Sequence, residues 1–241
     1  MTVEVRFLGS GNAFAAGGRS HACILVRHSG SSLLLDCGGS SLPAITRALD
    51  PGSIDAIAVS HLHGDHFGGI PFLLDEQKYA PRRRPLAIGG PPSLEKRVRQ
   101  VADGFGMDLA TLGFEVTFQV LGRDEQQLGP ARVAALPVRH SPAAEPHGLR
   151  MRVGGRLIAY SGDATWSDEL VAVADGADLF ICESTTYAVR DPVHLSGVEL
   201  AAHRRDLRCA RVVLTHLGKD ALAHRDELPF EAADDGTVLE V

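Results

Sequence analysis

The stretch that decides the fold reads Ser60-His61-Leu62-His63-Gly64-Asp65-His66-Phe67-Gly68-Gly69. Four side chains of metal-binding type fall within six positions, directly after an apolar segment, residues 54–60, that is predicted to be a strand. His61 and His63 alternate along the chain as it leaves that strand, so their side chains point the same way. Imidazole and carboxylate groups are ordinary ligands of zinc and similar divalent ions. A histidine-rich turn without metal is the alternative, but four such groups at this spacing favour a metal site.

Three further ligand-type residues stand at the ends of later apolar segments. His140, Asp163 and His216 each follow a segment that is predicted to be a strand, so all three can converge on one edge of the sheets. One ion cannot readily use this many groups, whereas two neighbouring ions can, and two ions are the arrangement used for displacement at phosphorus. Each of these residues alone would be weak support. Their order and their strand-end positions together predict a two-metal site.

The His-x-His-x-Asp-His motif resembles the signature of the metallo-β-lactamase superfamily, and the later residues follow in the superfamily's order. The resemblance implies an α/β fold, a four-layer αββα sandwich, as a single domain over residues 1–241. It implies two divalent ions, zinc by default with manganese or iron as alternatives, and a hydroxide nucleophile between them. One ion would be bound by His61, His63 and His140 and the other by Asp65, His66 and His216, with Asp163 bridging both.

Within the superfamily the chain resembles the ribonuclease Z branch and the related cyclic-phosphate phosphodiesterase of phosphonate breakdown. The resemblance is carried by the loop at residues 8–13, by Asp163 as a bridging carboxylate, and by Cys-Glu-Ser-Thr-Thr-Tyr at 182–187 followed by His-Leu-Ser at 194–196. It implies that His194 is a general acid, or stabilises charge on the phosphate, rather than a ligand. Glu183 would orient His194 or a ligand, and both join Asp65 as predicted catalytic residues. The alternatives are a plain helix-preceding residue for His194 and a salt bridge for Glu183.

Two departures limit what this resemblance implies about the substrate. Ribonuclease Z carries a long basic arm that grips tRNA, whereas only 22 residues separate His140 from Asp163 here. The N-terminal loop also lacks the cysteine cluster of the phosphonate-pathway enzyme. We therefore expect no exosite arm, and neither enzyme's substrate carries over.

Hydrophobic patterning predicts sheets covered by helices, because strands come first and helix–strand units follow. Other segments with strand-like patterns are residues 3–8, 22–26, 32–36, 86–88, 114–120, 132–138, 149–153, 156–160, 179–182 and 212–214. Helices are predicted at residues 43–49, 69–79, 92–101, 168–174 and 196–206. Val153-Gly154-Gly155-Arg156 predicts a tight hairpin.

The composition is that of an ordinary globular protein rather than of one with a strongly basic surface for binding nucleic acid. The net charge of −6 argues against extensive phosphate contacts, and the basic run at residues 82–84 is interpreted as a solvated face. Four scattered cysteines without a Cys-x-x-Cys pair predict buried free thiols. Residues 1–8 lack a signal-peptide pattern, and no apolar run suits a membrane span, so a cytoplasmic protein without membrane contact is expected.

These observations predict a binuclear metal-dependent hydrolase acting on a small or cyclic phosphodiester or on an RNA 3′ end. Hydrolysis of a carboxylic ester, thioester or lactone at the same ions is the alternative. Two-iron redox chemistry and a non-catalytic binding domain are the remaining interpretations. A homodimer is expected, since relatives are often two-fold dimers.

Overall fold

Two seven-stranded sheets form the centre of the computed structural model, which describes residues 2–80 and 82–241. The first sheet contains, in spatial order, β14 (Val238–Glu240), β1 (Glu4–Gly9), β2 (Cys23–His28), β3 (Ser31–Leu35), β4 (Ala56–Ala58), β5 (Leu86–Gly90) and β6 (Val116–Val120). The second contains β13 (Glu231–Ala232), β12 (Arg211–Thr215), β11 (Leu179–Glu183), β10 (Arg156–Tyr160), β9 (His147–Val153), β8 (Ala131–Pro137) and β7 (Gln126–Leu128). Met1 and Pro81, which belong to the predicted domain, lie outside the described residues.

Helices cover the outer face of each sheet. The first sheet packs against α1 (Leu42–Ala48), α3 (Ile70–Tyr79) and α4 (Leu94–Gly104), and the second against α5 (Asp168–Ala174), α6 (Gly197–Ala202) and α7 (Lys219–Ala223). A third apolar cluster fills the space between the sheets, where side chains such as Phe7, Leu33 and Ile158 are fully buried. Burying each large apolar side chain stabilises the fold by about 1.5–3 kcal/mol. The chain is therefore an α/β protein with the expected four-layer αββα arrangement.

The direction of the strands gathers the predicted site residues at one edge. Strands β3 to β6 run parallel in the first sheet, and β10 to β13 run parallel in the second. Because the carboxyl ends of parallel strands meet at one edge of a sheet, Asp36 and His61 follow adjacent strands in the first sheet. Asp163 and His216 follow strands of the second sheet in the same way.

Two short segments follow the sequence pattern closely. The helix predicted at residues 168–174 has those bounds, and the Ser167 side chain caps it by accepting a hydrogen bond from the Leu170 N–H. The predicted hairpin is also present, with Val153 opposite Arg156. Gly154 and Gly155 both have positive φ, as a two-residue turn of this kind requires.

Other segments differ from the prediction. The strand predicted at residues 54–60 pairs only over Ala56–Ala58, because the Ser60 N–H donates to the Asp36 carboxylate instead of a neighbouring strand. The helix predicted at 196–206 ends at Ala202 and resumes as a separate 3₁₀ turn. The short elements β7, β13, β14, α7 and α2 (Gly64–Phe67) were not predicted.

The two ends of the chain meet beside the site. Strand β1 pairs with β14, and the Asp235 carboxylate accepts hydrogen bonds from the Ser10 N–H and hydroxyl and from the Ser20 N–H. Cys23, Cys37 and Cys182 are buried free thiols, as expected, whereas Cys209 is free but only partly buried. Among the described helices, none has the length and apolar character needed to cross a membrane.

Candidate metal centre

The histidine motif leaves β4 in an extended conformation and then turns into the single-turn helix α2. His61 and His63 face the gap between the sheets, while Leu62 packs with the apolar cluster under the helices. Glycine is required just beyond, since a Cβ at Gly68 would lie 2.4 Å from the Gly64 carbonyl oxygen. This close packing explains the glycines that follow the motif.

One group of ligand-type atoms joins the motif to a distant strand. His61, His63, His140 and Asp163 offer atoms that all lie within 4.8 Å of one another. His61 Nε2 lies 3.2 Å from His63 Nδ1, and His140 Nε2 lies 3.1 Å from the same atom. His63 is the member of this group that is partly open to solvent.

A second group lies directly beside the first and is buried throughout. It consists of Asp65, His66, His216 and Asp163. His216 Nε2 lies 3.2 Å from Asp65 Oδ2, and His66 Nε2 lies 3.4 Å from the same oxygen.

Asp163 belongs to both groups, with one oxygen facing each. Its Oδ2 lies 3.7 Å from His61 Nε2 and 3.9 Å from His140 Nε2. Its Oδ1 lies 3.3 Å from His66 Nε2 and 3.5 Å from His216 Nε2. The structure thus brings together all seven residues that the sequence suggested as ligands.

The donor chemistry of these groups fits divalent cations. His66 Nε2 and Asp163 Oδ1 are buried, and neither has a hydrogen-bond partner among the described residues. Buried polar atoms are rarely left unsatisfied, and two lone-pair donors pointing at a common position suit a cation.

Burial and charge set the protonation of these side chains. Burial lowers the pKa of His61 and of His63, which keeps both imidazoles neutral, as a metal ligand must be. Burial opposes charge on His66 as well, but the Asp163 and Asp36 carboxylates outweigh it and raise the His66 pKa. Burial likewise raises the pKa of Asp163, yet the surrounding histidines hold it well below its usual range. A proton and a divalent ion would therefore compete for Nε2 of His66.

Asp36, fully buried after β3, supports the motif from behind. Its Oδ2 accepts hydrogen bonds from His66 Nδ1–H at 2.7 Å and from the Ser60 hydroxyl at 2.8 Å. The Ser60 oxygen in turn lies 3.0 Å from His61 Nδ1. These hydrogen bonds fix both histidines with Nε2 directed at the two ligand groups. Hydrogen-bond partners behind metal ligands commonly orient them in this way.

Glu183, fully buried at the end of β11, has the corresponding role in the second sheet. Its Oε1 accepts from His194 Nδ1–H at 2.9 Å, and its Oε2 accepts from the Thr185 hydroxyl at 2.6 Å. The Thr185 oxygen lies 3.0 Å from His216 Nδ1, so this hydroxyl joins Glu183 to a ligand-type histidine. Oε1 also accepts from the Ala164 N–H, next to Asp163.

His194 lies beside the two groups and close to Asp163, whose Oδ2 is 3.9 Å from His194 Nδ1. Burial opposes its charged form, but the hydrogen bond and charge of Glu183 outweigh burial and raise the His194 pKa to about 9. At neutral pH this imidazole carries a proton at the edge of the centre.

Several supporting groups could not be recognised from the sequence. They are the Ser60 and Thr185 hydroxyls and the Val193 carbonyl, which accepts from His140 Nδ1–H at 2.6 Å. Asp36 and His216 have φ near +59°, a strained conformation for residues other than glycine.

Comparison with known proteins places this arrangement in a family. The sequence pattern of the family described as anti-Pycsar protein Apyc1 matches residues 3–232. Ribonuclease Z of Methanothermobacter thermautotrophicus is 28% identical over 284 residues, covering 96% of this chain and 91% of that protein. Human tRNase Z, short form, superposes with a TM-score of 0.77 at 25% identity and covers 98% of both chains. The metallo-β-lactamase fold protein YhfI from Bacillus subtilis superposes with a TM-score of 0.80 at 21% identity. The match covers 98% of this chain and 99% of the YhfI chain.

The chain belongs to the anti-Pycsar protein Apyc1 family. It is a metal-dependent hydrolase of the metallo-β-lactamase superfamily, in the ribonuclease Z-like branch that the sequence motifs indicated.

Proposed function

We propose that this member of the Apyc1 family is a phosphodiesterase that cleaves a small or cyclic phosphodiester at two divalent ions. The observation that carries the proposal is His194, a protonated imidazole held by a buried carboxylate beside the bridging Asp163. Esters and phosphodiesters both expel an alkoxide, but a phosphodiester is itself anionic and its leaving oxygen departs as the nucleophile adds. A cationic proton donor beside the ions therefore helps phosphodiester cleavage twice, by balancing charge and by protonating the leaving oxygen.

In this proposal the two groups of side chains bind one ion each. His61, His63 and His140 would hold the first ion, and Asp65, His66 and His216 the second, with one Asp163 oxygen for each. The bound ions would supply an activated water and would polarise the phosphoryl oxygens. Zinc suits these ligands best, and manganese and iron are alternatives.

The residues around the ions then have distinct tasks. The water oxygen would form a bond to phosphorus while the bond from phosphorus to the leaving oxygen breaks, and His194 would donate its proton to that leaving oxygen. The proton that the water loses would pass to solvent, from which His194 is protonated again. Glu183 keeps the imidazole oriented and charged. Burial raises the pKa of Asp65, but hydrogen bonds from His216 and His66 hold it far below its usual range. Asp65 therefore stays a carboxylate that can orient the attacking water as well as bind an ion.

Small substrates are favoured over tRNA. Between His140 and Asp163 the chain forms a 3₁₀ turn and the hairpin β9–β10, and the protein carries a net charge of −6. Phosphate contacts along a structured RNA normally need clustered Lys and Arg. Cleavage of a short RNA 3′ end is the second candidate, supported by the similarity to ribonuclease Z.

The test pairs elemental analysis of the purified protein with turnover of bis-p-nitrophenyl phosphate and p-nitrophenyl acetate. We expect about two metal ions per chain, as in two-metal hydrolases, and a clear preference for the phosphodiester. Cyclic nucleotides, cyclic sugar phosphates and short RNA ends would then be compared. Preference for the acetate would instead identify an esterase, thioesterase or lactonase, and a protein that binds no metal would overturn the mechanism.

Assembly and location are part of the same proposal. Tyr79 and Phe105 are 80% and 62% exposed, and Phe105 packs against Phe72 on the same face, which supports a homodimer. Light scattering at several protein concentrations tests this, and a monomer throughout would refute it. Four free cysteines favour a cytoplasmic location.

A further inference from the structure

The segment between β11 and α6 carries His194 and closes on itself at its base. The Gly197 N–H donates to the Thr186 carbonyl at 2.9 Å, and Thr186 forms an isolated β-bridge with Ser196. Residues 188–190, which lie between the two sides of this base, are exposed. The base therefore fixes the residues that follow His194, and the residues that precede it need a contact of their own.

Asp191 supplies this contact. Its side chain is partly buried, and its Oδ1 accepts hydrogen bonds from the Val193 N–H at 2.9 Å and from the His194 N–H at 3.0 Å. Pro192, which stands between, has no N–H and a fixed φ, so the carboxylate oxygen bonds to the next two N–H groups along the chain. Asp191 thus holds the backbone of His194 from the side that precedes it.

The peptide group between Val193 and His194 also contacts a ligand-type histidine. Its carbonyl, that of Val193, accepts from His140 Nδ1–H at 2.6 Å, and the rings of His140 and His194 lie 4.9 Å apart. A histidine that donates through Nδ1 presents Nε2 to an ion. Because a peptide group is planar, fixing its N–H against Asp191 also fixes the carbonyl that His140 bonds to.

The charge of Asp191 has a smaller part than its position. Burial opposes the charged form of His194, Glu183 contributes most to raising the His194 pKa, Asp163 contributes less, and Asp191 contributes less again. The hydrogen bonds of Asp191, by contrast, go directly to the backbone of the proton donor. An uncharged oxygen in the same place would therefore preserve most of its effect.

We propose that Asp191 is a positioning residue that holds the proton donor His194 and the ligand His140 in one fixed relation, through the peptide group between Val193 and His194. The inference rests on the proposed phosphodiesterase function and adds a residue to the groups that serve it. A displacement of about 1 Å at a reacting group can lower a rate about 100-fold, so a contact that prevents it has a measurable effect.

The test compares Asp191→Ala and Asp191→Asn in the metal-loaded protein, with Asp108→Ala as matched control. Asp108 accepts from the Ala110 N–H at 2.9 Å in a turn of the same kind, outside both ligand groups. Each protein is assayed on a 3′,5′-cyclic mononucleotide, whose leaving group is an alkoxide, and on bis-p-nitrophenyl phosphate, whose nitrophenolate leaves without a proton. Competition with a chromogenic chelator measures metal affinity.

Asp191→Ala should affect the two substrates unequally. With saturating metal, kcat on the cyclic mononucleotide should fall about 10- to 100-fold and kcat on bis-p-nitrophenyl phosphate much less, because only the alkoxide needs a well-placed proton donor. Metal affinity should fall about tenfold, since the acceptor behind His140 is no longer fixed. Asp191→Asn keeps an oxygen for both N–H groups and should recover both properties, and Asp108→Ala should match the wild type.

The outcomes separate this inference from the proposed function. Equal losses on the two substrates, unchanged metal affinity in Asp191→Ala, or an asparagine variant as impaired as the alanine variant would each overturn the positioning role while leaving phosphodiester hydrolysis intact. Wild-type protein that cleaves no phosphodiester would overturn the proposed function. If the wild type cleaves no cyclic mononucleotide, chelator competition decides on Asp191: affinity lowered in Asp191→Ala and restored in Asp191→Asn supports the inference, and any other result overturns it.

Discussion

Asp36 and Glu183 occupy equivalent places in the two sheets and provide the most informative comparison in the molecule. Each is a fully buried carboxylate at the end of a strand. Each accepts a hydrogen bond from a hydroxyl, Ser60 in one case and Thr185 in the other. That hydroxyl contacts the outer nitrogen of a ligand-type histidine.

The second partner of each carboxylate is where the two regions differ. Asp36 binds His66, a buried member of the second ligand group, whereas Glu183 binds His194, whose side chain is 20% exposed. In the proposed mechanism the Asp36 region would only fix ligands. The Glu183 region would connect a ligand to the proton donor His194, so the same arrangement would serve metal retention in one region and proton transfer in the other.

Asp163 lies between the two regions, and its replacement should have the largest effect. Asp163→Asn replaces one oxygen by an amide NH₂ that cannot ligate and leaves the other oxygen uncharged, so we expect no detectable turnover and loss of metal from both groups. Elemental analysis and turnover measure this, with circular dichroism as the control for folding. Two retained ions with full activity would contradict the bridging role.

His194→Ala tests the Glu183 side alone. Turnover should fall about 10²–10⁴-fold, the usual effect of losing a general acid, while metal content stays at the wild-type level. If this variant loses metal instead, His194 is a ligand.

Asp36→Asn tests the opposite side. Its amide has a single oxygen, so it cannot accept from both His66 Nδ1–H and the Ser60 N–H, which bond to different Asp36 oxygens. Metal affinity should therefore fall about 10- to 100-fold, as for other partners behind metal ligands. Competition with a chromogenic chelator measures it. Glu183→Gln is the matched variant and should retain more metal than Asp36→Asn; the reverse order would break the comparison.

Thr185→Val removes the hydroxyl behind His216 with little change in shape. We expect metal affinity about tenfold lower, together with reduced turnover, and recovery of both in Thr185→Ser. A serine variant as impaired as the valine variant would point to packing rather than to the hydrogen bond.

The smallest expected effect is a shift in pH dependence. Glu183 raises the His194 pKa to about 9 in spite of burial, and a general acid works only while protonated. The turnover number should therefore fall as pH rises through the His194 pKa. In Glu183→Gln that fall should move to lower pH, because the uncharged amide no longer favours the imidazolium. If the fall in turnover number at high pH did not move in this variant, a group other than His194 would be responsible for it.

Local patterns predicted sheets covered by helices and the group of ligand-type residues, and the resemblance to the metallo-β-lactamase superfamily supplied the four-layer arrangement. Apolar segments that end in His or Asp give the strand and its terminal residue together, as at Asp163 and His216. Strands β7 and β13 were missed because three and two residues carry too little pattern, and they form only where a neighbouring strand is available.

The supporting hydroxyls escaped prediction for a different reason. Ser60 contacts a carboxylate 24 positions away, and Thr185 contacts a histidine 31 positions away. Neither contact can therefore be recognised from the residues that are adjacent in the sequence.

The meeting of the chain ends at Ser10 has a consequence for biosynthesis. The Ser10 carbonyl accepts a hydrogen bond from the His216 N–H, and the Ser10 N–H donates to Asp235, 225 positions away. Contacts of such sequence separation form late and slow folding. On the ribosome, the histidine motif emerges long before the residues that complete its surroundings. We expect the nascent chain to stay catalytically silent until residue 235 has left the exit tunnel, because Asp235 holds the Ser10 segment that contacts His216.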